Sequence, residues 1–213
     1  MKRTISAMRG PGSLNHNRRS FTAENVDPER SSLNVIYRDE PIQKVYYELF
    51  DEAVKRYNAK QKRKDRCITD YYEHLRTGKQ EKLFHELIVQ IGNKDDMGVP
   101  TENGALAKEL LDEYMQGFQE RNPTLRVFGA FLHMDEATPH LHIDFVPFTT
   151  GSKRGLDTRV SLKQALAISE LSTLDYTYNA IVEVCEEDGE TPKYYVAYQG
   201  AVTAGVDFSK LDM

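Results

Sequence analysis

The sequence predicts an α+β fold, an antiparallel sheet backed by helices, and three observations predict it. Two apolar runs rich in β-branched and aromatic residues, Leu125–His133 and Leu141–Phe148, are separated by seven residues that include Pro139. That is the pattern of an antiparallel hairpin with a long connection. The segments KRTISAM (residues 2–8) and FHELIVQI (residues 84–91) supply two more strands, the first by alternation and the second by β-branched content. Apolar residues at three-to-four spacing supply helices to cover the sheet.

In chain order, the first strand runs into the turn Arg9-Gly10-Pro11-Gly12, and residues 13–34 read as irregular and polar, ending in Asp27-Pro28-Glu29-Arg30. Pro41 opens a long helix whose apolar face carries Ile42, Val45, Leu49 and Ala53. It drifts into the basic run Lys60–Arg66, a solvated end, and a shorter helix covers Ile68 to Leu75, stopped by Gly78. The strand Phe84–Ile91 ends at Gly92-Asn93, and a helix from Gly104 to Glu120 presents Leu106, Leu110, Leu111, Tyr114 and Phe118. After the central hairpin, Ser161–Leu174 reads as a helix. Ala180–Cys185 and Tyr194–Tyr198 read as a second hairpin around the turn-like Glu186–Pro192.

A chain of 213 residues suits one sizeable domain, or one domain with an appendage. No apolar run approaches the ~20 residues that cross a bilayer, and the basic start MKRTISAMRG lacks the apolar core of a secretory signal. Cys67 and Cys185 lie far apart without metal-ligand spacing and read as reduced thiols, so the expected compartment is the cytoplasm. The net charge of −5 is unevenly spread. Residues 1–80 hold 17 Lys and Arg against 11 Asp and Glu, while residues 168–213 hold 2 against 9. The first part is thus basic enough to meet phosphates, and the last part repels them.

The chemistry is concentrated in His133-Met134-Asp135-Glu136-Ala137-Thr138-Pro139-His140-Leu141-His142. Side chains two apart on a strand share a face, so His140 and His142 converge, and the hairpin brings His133 opposite them. Three imidazoles then hold one face of a metal and leave positions open for water and substrate. Asp135 or Glu136 serves as a further ligand, as a partner behind the ligands, or on a nucleophile. Three neutral imidazoles suit zinc, and equally Mn²⁺ or Mg²⁺ polarising a phosphate oxygen. A second constellation, His16-Asn17-Arg18-Arg19, follows the first strand: adjacent arginines clamp phosphates, and a nearby histidine acts as base or nucleophile.

With both motifs in hand, the chain resembles the Mob/Pre plasmid mobilisation and recombination proteins, the MobV-type relaxases among His-hydrophobe-His endonucleases. The pattern HxDExxPHxH is matched by His133, Asp135, Glu136, Pro139, His140 and His142, and HNxR by His16, Asn17 and Arg19. Asn25–Asn34 (NVDPERSSLN) looks like the family's next block, and the similarity runs to about Ala167. The resemblance implies a palm-like antiparallel sheet with the metal site on its central strands, in a DNA-nicking domain over residues 1–167. It further implies a relaxase that nicks one strand at a transfer origin by transesterification. His133, His140 and His142 would hold Mn²⁺ or Mg²⁺, and His16 would be the nucleophile, its tautomer held by Glu136. Arg19 would grip a flanking phosphate, and Arg9, Asn17, Arg18 and Arg30 complete the expected DNA contacts. The partner implied is single-stranded or supercoiled origin DNA, with no membrane span; a homodimer and coupling or accessory proteins are left open.

Residues 168–213 turn acidic and depart from the family pattern. This keeps a second reading in play, a non-catalytic origin-DNA-binding remnant of a truncated relaxase. A third, a replication initiator or another metal hydrolase, would look to Tyr176 or Tyr178 beyond the metal motif.

Overall fold

The computed structural model describes residues 3–78, 81–167, 180–187 and 191–197. Its sheet is antiparallel throughout, in the order β2-β4-β5-β3-β1-β7-β8. The strands are β1 (Arg3–Arg9), β2 (Val35–Asp39), β3 (His85–Ile91), β4 (Leu125–His133), β5 (His140–Thr149), β7 (Ala180–Glu187) and β8 (Thr191–Ala197), with the short β6 (Arg159–Val160) on the end of β5. The expected α+β architecture is therefore present. So is the central hairpin, with His133 paired to His140 and Phe131 to His142. Among the described residues no helix is long and apolar enough to cross a membrane.

Strand alternation divides the sheet into two working faces. On one, Leu87, Val89, Leu125, Val127, Leu132, Leu141, Ile143 and Phe145 form a core with the helix α4 (Glu102–Arg121). That helix starts where the Thr101 side chain accepts the Gly104 amide at 3.1 Å, and it buries Ala107, Leu111, Met115 and Phe118. Phe118 is fully buried, so Phe118→Ala is expected to cost about 3–5 kcal/mol of stability through lost burial and the cavity left behind. A urea titration checks this, and a loss below about 1 kcal/mol would contradict the packing.

The opposite face is shared. One end is covered by α2 (Ile42–Ala59), whose Val45, Tyr46 and Phe50 pack on Phe128, Val146 and Val160, with α3 (Tyr71–Thr77) beside it. The other end lies under the segment between β1 and β2, which contains the single turn α1 (Leu14–Asn17) and a 3-10 turn, Pro28–Leu33. The histidines emerge at this second end.

Three local findings differ from the sequence reading. Residues 13–34, read as irregular, contain both of those short turns. No element was expected at 35–39, yet β2 forms there as the sheet's edge. Its five residues, a register shift at Ile36/Arg38 and an Ile36 that is 64% exposed leave little apolar alternation to detect. The helix expected over Ser161–Leu174 is α5 (Leu162–Leu166), and residues 168–174 lie outside the described ones, as do Tyr176 and Tyr178. The second hairpin is β7 and β8; β7 hydrogen-bonds to β1, so the sheet continues past residue 167.

Candidate metal centre and nucleophile

The hairpin register brings His133, His140 and His142 together, with ring centroids 4.6–5.2 Å apart, and all three are buried. Each ring spends one nitrogen on an oxygen partner. His133 Nε2 lies 2.9 Å from the Asn17 carbonyl, His140 Nδ1 2.8 Å from the Thr138 carbonyl, and His142 Nδ1 2.7 Å from Glu86 Oε1. Carbonyl and carboxylate oxygens only accept, so these nitrogens carry the hydrogens. The lone pairs are thereby assigned to His133 Nδ1, His140 Nε2 and His142 Nε2. Of these, His133 Nδ1 and His142 Nε2 are buried with no hydrogen-bond partner. Burial pushes His133 down to about 2 and His140 down to about 4, which keeps both imidazoles neutral near pH 7. Orphaned, neutral, convergent nitrogens are the donor set a divalent cation requires, so the residues fit a metal.

His16 is the fourth member of the cluster. Its ring centroid is 5.5 Å from those of His133 and His142, and one nitrogen from each of the four histidines falls within 4.8 Å of the others. Unlike the other three it is partly exposed, as a group meeting a macromolecular substrate has to be. Burial lowers its pKa, with Arg19 and His142 acting in the same direction and Glu136 against them.

Arg19 organises this side of the site. It has φ 53, a left-handed conformation uncommon for a residue with a side chain. That conformation follows the α1 turn and swings the guanidinium back over the hairpin connection. There it donates to Asp135 at 2.5 and 2.9 Å and to Glu136 Oε1 at 2.8 Å, and its Nη1 lies 3.2 Å from His16 Nε2. Glu136 Oε1 is itself 3.4 Å from His16 Nε2. Arg19 thus bridges the nucleophile candidate and the two acids of the motif, where the sequence reading placed it on a phosphate.

Asp135 anchors the segments around the hairpin connection. It is fully buried and also accepts from Ser31 Oγ at 3.0 Å and Asn34 Nδ2 at 2.7 Å, while its carbonyl accepts the Asp27 amide at 2.7 Å. Burial opposes its charge, but the hydrogen bonds from Arg19, Asn34 and Ser31 hold it well below the usual carboxylate range. Asn25 adds a 2.6 Å bond to Glu136. The block Asn25–Asn34 therefore straps the His16–Arg19 segment onto the hairpin.

Asn17 corrects another expectation. It was placed among the DNA contacts, but its side chain is buried and donates to Glu86 Oε1 at 2.8 Å and to Asp144 Oδ2 at 3.0 Å. Its carbonyl meanwhile holds His133. Arg18 is paired with Asp39 at 2.7 Å and Arg30 with Asp27 at 2.8 Å, whereas Arg9 is exposed and has no ion-pair partner among the described residues. Tyr37, the first tyrosine of the chain, donates to Asp112 on the α4 face, away from the histidines.

Glu86 and Asp144 were absent from the sequence reading. Glu86 is buried on β3 and binds His142, Asn17 and the Gly12 amide, the last at 2.7 Å. Burial opposes its ionisation, yet these hydrogen bonds outweigh it and hold the carboxyl below its ordinary value. Gly10 makes room for it, since a Cβ there would lie 2.0 Å from Glu86 Oε2. Asp144 occupies the gap left by the missing side chain of Gly129, its partner on β4, and a Cβ at 129 would stand 3.0 Å from Asp144 Oδ2. Burial, reinforced by the neighbouring Glu86, pushes Asp144 up to about 7. Arg19 pairs with Asp135 and Glu136 while Glu86 backs His142, so acidic groups outnumber the arginine around the imidazoles, which favours a dication.

The fold and site together define an α+β protein of the His-hydrophobe-His type, with a three-histidine hairpin facing a fourth histidine from an N-terminal strap. The chain belongs to the Mob_Pre family, plasmid recombination enzymes, whose model matches residues 37–183. That span contains the hairpin and Glu86 but begins after His16 and Arg19. A plasmid recombination enzyme from a Bacillus species is 31% identical over 144 residues, covering 66% of this chain and 30% of that protein. The chain thus spans less than a third of that relative's length. Among solved structures, the Mn-bound MobM relaxase domain (MOBV; Mob_Pre) with a 22-nucleotide plasmid pMV158 oriT DNA has a TM-score of 0.42, at 24% identity with 75% of each chain covered. The same domain with a 23-nucleotide DNA gives 0.43, at 23% identity over 75% of this chain and 73% of that one.

Proposed function

We propose that this chain is a relaxase domain that nicks one strand of origin DNA for plasmid or mobile-element mobilisation, acting in the bacterial cytoplasm. The observation that carries the reading is the four-histidine cluster: three buried imidazoles converge with a nitrogen each turned inward, and a partly exposed fourth faces them from the strap. Three of these imidazoles suit Mn²⁺ or Mg²⁺, which would lend positive charge to a non-bridging oxygen of the scissile phosphate. Glu136 at 3.4 Å and the Arg19 guanidinium at 3.2 Å both flank His16 Nε2 and fix the ring, and the imidazole nitrogen that turns its lone pair to the phosphorus is the attacking atom. A phosphorus–nitrogen bond forms, the bond to the 3′-oxygen breaks, and the free 3′-OH departs with a proton from solvent. The imidazolium that develops is offset by Glu136. Arg19 disfavours a protonated His16 before attack and holds Glu136 in place.

Supercoiled plasmid carrying the DNA around this gene tests the reading. With Mn²⁺, purified protein is expected to yield open circles nicked at one position, and EDTA is expected to stop the reaction. DNA binding in Mn²⁺ without a nicked product would instead support a non-catalytic origin-binding protein.

A further inference from the structure

Among the described residues four large apolar side chains are exposed: Phe21, Leu33, Ile36 and Tyr47. Of these, Phe21 stands beside the His16 ring. Its ring centroid is 6.5 Å from that of His16, with the planes tilted by 55°, and it is 52% exposed. It belongs to none of the hydrophobic clusters that hold the fold together. Its position follows from the strap: the Ser20 amide closes back on the Asn15 carbonyl at 2.8 Å, Arg19 takes its left-handed turn, and the chain leaves the site at Phe21. A phenyl ring has no hydrogen bond to offer water, so half-exposing it beside a reactive histidine gains nothing for the free protein. A flat, unpaired nucleobase would cover it.

We propose that Phe21 is a stacking platform for an unpaired nucleobase of the DNA strand next to the phosphate that His16 meets. This rests on the reading that the site handles single-stranded DNA. The recognition is through the π face, so it tolerates any base and serves to hold the strand in register rather than to read it. The loop around the ring is otherwise polar, and the neighbouring Arg18 ion pair with Asp39 is surface-exposed, where a phosphate competes for the guanidinium.

The test uses the whole chain and a 12-mer oligo(dT) with one 5-iodouracil, read by fluorescence anisotropy and by photocrosslinking with mass spectrometry. The wild-type protein is expected to crosslink at Phe21. Phe21→Ala and Phe21→Leu are expected to weaken oligo(dT) binding about tenfold, and Phe21→Trp to restore it, with Mn²⁺ affinity unchanged throughout. Leucine retaining wild-type affinity, crosslinks only at other residues, or Mn²⁺ affinity falling with the oligonucleotide affinity would each overturn the stacking role and leave the relaxase reading standing. Failure of the wild-type chain to bind oligo(dT) would overturn the sequence-tolerant stacking role, while nicking of the plasmid substrate decides the relaxase reading separately.

Discussion

His16→Ala is expected to lower strand cleavage by about 10³-fold or more while leaving Mn²⁺ affinity unchanged. The two halves of the result follow from different parts of the structure. The three other imidazoles keep their oxygen partners when the His16 ring is removed, because those partners are the Asn17 and Thr138 carbonyls and the Glu86 carboxylate. The metal donors therefore stay in place. Cleavage loses its attacking nitrogen, and Tyr37 cannot take over, since its hydroxyl is committed to Asp112 across the sheet. Denaturing gels of end-labelled DNA measure both the cleavage and the covalent 5′ adduct, and calorimetry measures Mn²⁺ binding. Cleavage at the wild-type rate would remove His16 from the nucleophile role. Loss of Mn²⁺ binding would make it a ligand instead.

The parts of the site legible in the sequence are those encoded by short-range periodicity. His140 and His142 share a face because they are two apart on a strand, and His133 joins them through a hairpin that the turn residues announce. Asn17 shows where that logic stops. On the α1 turn neighbours are rotated by about 100°, so His16 faces the histidines while Asn17 points down into the sheet, and Arg19 reaches the site through its left-handed conformation just past that turn. The place of Asn17 in the matched HNxR motif, which carries no side-chain direction, put it among the expected DNA contacts. Glu86 was hidden for a different reason. In FHELIVQI a single acid among apolar residues reads as a solvent-facing position. Its burial follows from β3 lying between β1 and β5, which sets Ile88 opposite His142 and Glu86 opposite Asp144. That pairing joins segments more than fifty residues apart, which no local pattern encodes. An isolated charge inside a strand of buried type was the one available signal.

The same dependence on Glu86 gives the second large effect. His142→Ala is expected to abolish both Mn²⁺ binding and nicking, since it removes one of three donors and leaves Glu86 buried without its imidazole partner. Glu86→Gln separates the metal from the fold more finely. The glutamine keeps the volume that Gly10 accommodates and can still accept from Asn17 or from the Gly12 amide. It no longer demands a hydrogen on His142 Nδ1, however. If its amide NH₂ faces the ring, the imidazole hydrogen moves to Nε2 and blocks the lone pair aimed at the cluster. Losing such a partner behind a histidine ligand costs about 10–100-fold in metal affinity, with a matching fall in nicking at limiting Mn²⁺. Saturating Mn²⁺ is then expected to restore much of the activity of Glu86→Gln and none of that of His142→Ala. A Glu86→Gln protein that binds Mn²⁺ within about twofold of wild type would show that Asn17 and Gly12, rather than the His142 tautomer, are what this buried carboxylate serves.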